Sequence, residues 1–344
     1  AADEFGRRVQ GALGFVIENE GRRHEWMIEP GAKGVARQDA SAALTRVLAH
    51  RVWVDQRRGW RFTNPNLEEL RLVEARYPAL EELAADDAEF ANAPMILRSA
   101  DAATRFEALK LILEAMRQGL AVDVGALNRA ELDSIAERSQ ALLRDPWSIG
   151  RLEDPRVAAA LMVQAPKKTE AGKRGEGQVL RAGPQSGLAR KLRSPKRWGT
   201  IVDAKTYLEL VAALLSAAAS YGFVREIATE YDTPGWRLVP TSFRLVSGTP
   251  DPNRRAPNKY FTALYRSLAD TLAAGGEGLF GLEGREHTAQ VTPEKREWRE
   301  WRFRYGDTDQ AKIIEKRADF IKEGEDDSFL PVLFCSPTME LGVD

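Results

Sequence analysis

The residues best placed to meet a ligand follow one apolar run. Phe329 to Cys335 reads as a short, continuously apolar strand, and the sequence continues CSPTMELGVD, delivering Ser336, Thr338, Glu340, Gly342 and Asp344 in quick succession. In an open α/β sheet, ligands sit at the carboxyl ends of strands. A hydroxyl there can donate to a phosphate oxygen, and a carboxylate can accept from sugar hydroxyls but repels phosphates. A glycine lets backbone approach closely, because no side chain intervenes. A second polar group lies in EHTAQV at 286–291, a strand and turn bearing His287, Thr288 and Gln290. A third is basic. From Lys167 to Arg197 there are ten basic and two acidic side chains, among them Arg190, Lys191, Arg193, Lys196 and Arg197. Charge of that density suits either a solvated surface loop or linker or a loop that touches phosphates.

Other chemistries find less support. GEGLFG, Gly276 to Gly281, matches the spacing of a dinucleotide-binding turn. It follows a helical stretch, whereas the mechanism needs a strand before it and a helix N-terminus at the pyrophosphate, so a plain loop is expected. No G-x-x-x-x-G-K-[ST] occurs, so the backbone cradle for ATP phosphates is missing from this sequence. No Ser, His and Asp arrangement reads as a nucleophilic triad, and no catalytic residue is assigned. His24, His50 and His287 lie too far apart in sequence for a zinc site. No metal ligand is assigned. The single cysteine, Cys335, excludes a disulfide framework and fits a reducing compartment.

The elements that must carry these groups read as mainly helical. The 344 residues suit two or three domains, and 50 basic against 51 acidic side chains leave local clustering to decide the partners. No apolar run reaches about 18 residues, the length of a membrane-crossing helix. The opening AADEFGRRVQGALGF does not read as a signal peptide, and a cytoplasmic protein with no membrane partner is expected. Leu44, Val47, Leu48 and Val52 mark one helix. DQRRGWRFTNPNLEELRLV reads as a hairpin tip, a short strand and a helix opening after Asn64-Pro65. Residues 101–120 carry an apolar stripe of Phe106, Leu109, Ile112, Leu113 and Met116, which should face a core, and ALNRAELDSIAERSQALL follows as a further helix. Residues 165–199 read as the basic loop or linker and mark a boundary. The 202–247 stretch gives a helix with Leu208, Val211, Ala212, Leu215 and Ala219 on one side. Gly222 stops it, and FVREIATEY and GWRLVPTSFRLV follow as two antiparallel strands. A helix then a two-stranded wing is how a winged-helix domain ends, with Trp236 expected at the buried base of the hairpin. GWRF at 59–62 and GWRL at 235–238 suggest two related modules. After a Pro-rich linker, helices at 259–274, 292–306 and QAKIIEKRADFIKEG alternate with short strands, an α/β layer. Thr292 and Pro293 form the start of the middle one. Trp298, Trp301 and Tyr305, at i, i+3 and i+7, suit a core-facing stripe or base stacking.

CSPTMELGVD resembles motif V of superfamily 2 helicases, where a Ser or Thr ends a strand of the second RecA-like domain and Gly-hydrophobic-Asp follows. HTAQV, then RADFIKEG and LPVLFCSPTMELGVD, resembles the preceding motif of that domain with its helix. The spacing is longer here, because KREWREWRFRYGDTDQAKII intervenes. Together these stretches look most like the helicase subunit of the DISARM anti-phage defence system and related bacterial helicases. GWRFTNPNLEEL is similar to the helical and winged-helix region between the lobes of that group. The likeness is good over 256–344 and looser over 1–247. The Walker A lysine, the acidic metal-binding motif and the arginine-bearing final motif are absent, so the resemblance implies a middle piece of a larger enzyme, inactive by itself.

What the resemblance implies is a mixed, mainly α chain. Residues 1–164 would be a helical region with a possible winged-helix-like module, and 165–199 the basic segment. Residues 200–248 would be a winged-helix-like domain and 256–344 a partial second RecA-like helicase lobe. Ser336, with Thr338, would contact a phosphate of the tracked strand. His287, Thr288 and Gln290 would line the strand groove. Gly342 would let backbone approach the nucleotide, and Asp344 would bind the ATP ribose. The complete enzyme would use ATP and Mg2+, with none bound by this piece alone. It would move along DNA, as a single strand or at a duplex junction, through sequence-independent phosphate contacts. Its partners would be the rest of the helicase chain and a second defence subunit. The rival reading is a non-enzymatic winged-helix DNA-binding or scaffold protein.

Overall fold

The computed structural model describes residues 26–29, 31–61, 65–164, 178–229, 233–249, 257–274, 284–288, 290–323, 325–327, 329–330 and 332–335. It is mixed α/β, mainly helical with small sheets. Among the described residues it divides into two compact units, one within 26–265 and the other within 266–335. No helix among the described residues is long and apolar enough to cross a membrane.

The first unit runs through α1 (Gly34–Asp55), β1 (Val73–Arg76), α2 (Leu80–Ala85), α3 (Met95–Arg98), α4 (Ala102–Gln118) and α5 (Arg129–Leu142). It continues with β2 (Ala159–Met162), β3 (Gln178–Arg181), α6 (Gly187–Leu192), α7 (Pro195–Trp198) and α8 (Ala204–Ser220). Last come β4 (Val224–Ile227), β5 (Gly235–Leu238) and β6 (Arg244–Ser247). Helix α4 forms as its pattern predicts. The Asp101 side chain accepts the Thr104 N–H at 2.8 Å and caps it. Leu109, Ile112, Leu113 and Met116 are buried and Phe106 is half-buried, so the stripe faces the core. Leu44 and Val47 of α1 are likewise buried, in a smaller cluster shared with Leu132 and Ile135 of α5, while Val52 is exposed.

Helix α8 is present, capped by Asp203 on the Thr206 N–H at 2.7 Å, and Gly222 just beyond it takes φ +73°. Its buried face is rotated from the expected one. Tyr207, Leu210, Val211, Leu214, Leu215 and Ala218 are inside, whereas Ala212 is exposed and Leu208 and Ala219 are half-buried. The helix is apolar on several sides, so periodicity alone leaves its rotation open. The Tyr207 hydroxyl, donating to the Ala182 carbonyl at 2.7 Å, is one contact that fixes it.

After α8 come the antiparallel strands β4 and β5, paired from Val224↔Leu238 to Ile227↔Gly235. They do not stand apart as a separate wing. β5 also pairs with β2 (Leu161↔Trp236), and β2 lies parallel to β3, giving one mixed sheet in the order β3-β2-β5-β4. A Cβ at Gly235 would come within 2.9 Å of the Ala160 Cβ, so this close approach of β5 to β2 requires glycine. Trp236 is half-buried rather than enclosed at a hairpin base, and it packs on the main core, which extends from Ala75 to Phe243. The expected second wing strand ends at Leu238. A 3-10 turn at Pro240–Ser242 redirects the chain into β6, which pairs antiparallel with β1.

Three further expectations are corrected. Residues 178–199, read from composition as loop or linker, form β3, α6 and α7. Leu188, Ala189 and Leu192 are buried, and Ser186 caps α6 by accepting the Ala189 N–H at 3.0 Å. The Gly, Pro and Ser there act as caps and turns between apolar anchors, which a composition average conceals. Second, the helix expected after Pro65 is a series of turns. Asn66 and Glu69 exchange reciprocal side-chain–backbone hydrogen bonds, a sound helix start. Arg71 then turns left-handed at φ 54°, and the chain enters β1. Third, Gly59 and Trp60 both have positive φ in a turn, whereas Gly235 and Trp236 are strand residues. The two GWR tripeptides are therefore not equivalent.

The second unit contains β7 (Gly284–His287), α10 (Pro293–Arg304), α11 (Asp307–Lys322) and β8 (Val332–Cys335), while α9 (Lys259–Ala274) runs across the division. Thr292 is the N-cap residue of α10 and Pro293 its first residue, as expected. Trp298, Trp301 and Ile313 are buried together, and Trp298 stacks on Phe320 with centroids 4.4 Å apart. The Trp298, Trp301, Tyr305 stripe therefore serves packing. β7 and β8 are parallel, from Gly284↔Val332 to His287↔Cys335.

Candidate nucleic-acid interface

His287 is the last residue of β7 and is 2% exposed. Its Nε2 lies 2.6 Å from Oε1 of Glu300 on α10. A carboxylate only accepts, so Nε2 carries the hydrogen and donates. Nδ1 is buried and has no hydrogen-bond partner among the described residues. Behind it, Arg299 donates from Nη1 to the Glu286 carbonyl at 2.7 Å and pairs with Glu325 through Nη2 at 2.5 Å. Arg302, fully buried, lies 3.8 Å from the same carboxylate. Helix α10 thus holds the carboxyl end of β7 with one glutamate and one arginine. The next residues form a turn. Val291 N–H donates to the Thr288 carbonyl at 3.1 Å, Thr288 is half-buried, and Gln290 is exposed.

Of the three residues expected to line a strand groove, only Gln290 stands open to solvent. Thr288 is partly open, and His287 is committed to Glu300. Glu300, Arg299 and Glu325 were not singled out from the sequence. Their signal was available in part, since His287 needs a partner once it is enclosed and α10 is dense in charge around its two tryptophans. Ser336, Thr338, Gly342 and Asp344 lie outside the described residues, as does GEGLFG.

The five basic residues separate by role. Arg190, Lys191 and Lys196 are exposed, and none makes an ion pair among the described residues. Arg193 is half-buried, donating from Nε to the Val202 carbonyl at 2.7 Å and from Nη1 to the Pro184 carbonyl at 3.2 Å. It fastens the chain after α7 to the turn before α6. Arg197 is half-buried, with its Nε enclosed and without a hydrogen-bond partner among the described residues. Arg190, Lys191 and Lys196 are thus open to solvent, and Arg193 is a structural cation. Among the described residues, no cluster of His, Cys, Asp and Glu could hold a metal ion. No protein-family model, curated protein or solved structure matches the chain.

Proposed function

We propose that this chain is part of an ATP-dependent DNA translocase of the superfamily 2 helicase type, serving bacterial anti-phage defence, and that it contributes to holding the tracked strand. The observation that supports this most is the pairing of β7 with β8. The two stretches that resemble helicase motifs lie on neighbouring parallel strands, and His287 stands opposite Cys335. Both stretches therefore leave the sheet at one carboxyl edge, where α/β sheets present ligands. The two helices between these strands fit a partial RecA-like lobe. Ser336 and Thr338 follow Cys335 and would donate to strand phosphates beside Thr288 and Gln290. Gly342 and Asp344 would face the nucleotide, whose phosphates and Mg2+ would be held by parts of the enzyme bearing a phosphate loop and an acidic motif. Helix α8 with its β4–β5 hairpin supports a winged-helix-like element merged into a larger core. It also supports the rival, a DNA-binding or scaffold protein without a motor.

Binding of residues 1–344 to single-stranded DNA tests the strand-holding part. The affinity should be indifferent to sequence and fall steeply with salt, because phosphates release counterions when neutralised. Changing Arg190, Lys191 and Lys196 together to Gln should flatten the log–log salt slope by about 2, given roughly 0.7 per phosphate on a single strand. Arg193 is left in place, since its loss would free two carbonyls. An unchanged slope makes this surface a bystander, and strong sequence preference favours the rival.

A further inference from the structure

A groove of about 550 Å³ opens in the first unit, against the sheet and the first turn of α5. Its apolar floor includes Ala160 and Met162 of β2 and Ile227 of β4, and its charged groups are Arg129, Asp133 and Arg237. Arg129, half-buried at the start of α5, makes no hydrogen bond or ion pair among the described residues. The Arg237 side chain is 22% exposed. It donates from Nε to the Ala159 carbonyl at 3.2 Å, but its nearest carboxylate, Asp123, is 4.0 Å away and already pairs with Arg225 at 2.9 Å. Burial lowers the Arg237 pKa against the opposing pull of Asp123, which marks a charge short of compensation. The groove therefore has two under-compensated guanidinium groups, one free carboxylate and an apolar floor. Its volume lies in the range of small-ligand sites.

We infer that this groove binds a nucleotide, with its phosphate held between Arg129 and Arg237 and its base or sugar against the apolar floor. Guanidinium groups suit phosphate through paired, charge-assisted hydrogen bonds. Asp133 would accept from a sugar hydroxyl or base amino group, and it disfavours ligands that are only anionic. The nucleotide could be free or one unit of a strand, and the strand source rests on the function proposed above.

The test uses residues 1–344 with two probes, a labelled 12-nucleotide single-stranded DNA and AMP, for the wild type and Arg129→Gln. Arg129 has no hydrogen bond or ion pair to lose among the described residues, so the variant should keep close to the wild-type melting temperature. Arg129→Gln should weaken 12-mer binding about 10- to 100-fold, the range of one charged hydrogen bond, and reduce the salt slope by about 0.7. If the groove also takes free nucleotide, AMP binding weakens by the same factor and AMP competes with the 12-mer. If it takes strand alone, AMP neither binds nor competes while the 12-mer effect remains. Wild-type binding of AMP alone, lost in Arg129→Gln, supports the groove and sinks the strand-holding reading. Strand binding unaltered in Arg129→Gln overturns the groove and leaves that reading standing. No binding of either probe by the wild type overturns both.

Discussion

Trp298→Ala should cost the second unit about 3–5 kcal/mol, the usual loss for a large aromatic removed from a core. The described core of this unit is small, with Trp298, Trp301 and Ile313 at its centre. Trp298 is fully buried and stacks on Phe320 with an interplanar angle of 12°. Its indole N–H donates to the Asp326 carbonyl at 3.0 Å. Replacement by alanine leaves a large cavity and removes the hydrogen bond to Asp326 beside Glu325, which anchors Arg299 and, through it, the end of β7. Limited proteolysis with mass spectrometry should show new cleavages between 284 and 335 while 65–164 stays protected. Trp298→Phe should recover much of the loss by restoring the stack. Unaltered protection in Trp298→Ala would mean that this aromatic cluster does not hold the unit together.

In the first unit the largest effect is expected at Arg117. Its side chain is 1% exposed, and Nη2 donates to Glu68 at 2.6 Å and to Glu114 at 2.5 Å. Glu114 also accepts from the Tyr77 hydroxyl at 2.8 Å. Burial opposes the Arg117 charge, but the Glu114 hydrogen bond and the two carboxylates more than offset it, and its pKa is raised. Burial pushes the Glu68 carboxyl up, against the pull of Arg117. Arg117→Met leaves two half-buried carboxylates without their cation and should cost about 3 kcal/mol at neutral pH, the lower end for a broken buried pair because each carboxylate keeps some solvent. Adding Glu68→Gln and Glu114→Gln should return much of that, because the penalty lies in stranded charge and not in lost volume. The comparison is a chemical denaturation cycle at pH 7. Additive losses would show that the three groups are not coupled.

The sequence predicts α4, α5, α8 and α10 well, because each has a cap residue and a stripe at helical spacing. It predicts less where tertiary contacts choose among local options. The rotation of α8 depends on contacts such as Tyr207 on Ala182, 25 residues earlier. The placement of β5 against β2 joins residues about 75 apart, and no local pattern announces it. The 178–199 stretch hides its apolar anchors among charges. Among the candidate site residues, the pattern puts His287 in a strand and turn but does not show that Glu300 encloses it. Composition finds the basic patch but cannot separate Arg193, which braces backbone carbonyls, from Arg190, Lys191 and Lys196. The groove is invisible in sequence, since Arg237 on β5 joins Arg129 and Asp133 of α5 from a distant segment.

The motor claim is tested most directly by DNA-stimulated ATP hydrolysis in the full-length gene product carrying Ser336→Ala or Asp344→Ala, with residues 1–344 alone beside it. A carboxylate can hold ribose hydroxyls but repels phosphate, and a serine hydroxyl can donate to a strand phosphate. Neither change removes much apolar volume, so both variants should stay folded. Asp344→Ala should weaken ATP use while sparing DNA binding without nucleotide. Ser336→Ala should weaken strand engagement and DNA stimulation while sparing nucleotide binding, and residues 1–344 alone should show no turnover, since they lack a phosphate loop. DNA-stimulated hydrolysis left intact in both variants, or sustained by residues 1–344 alone, would contradict the account.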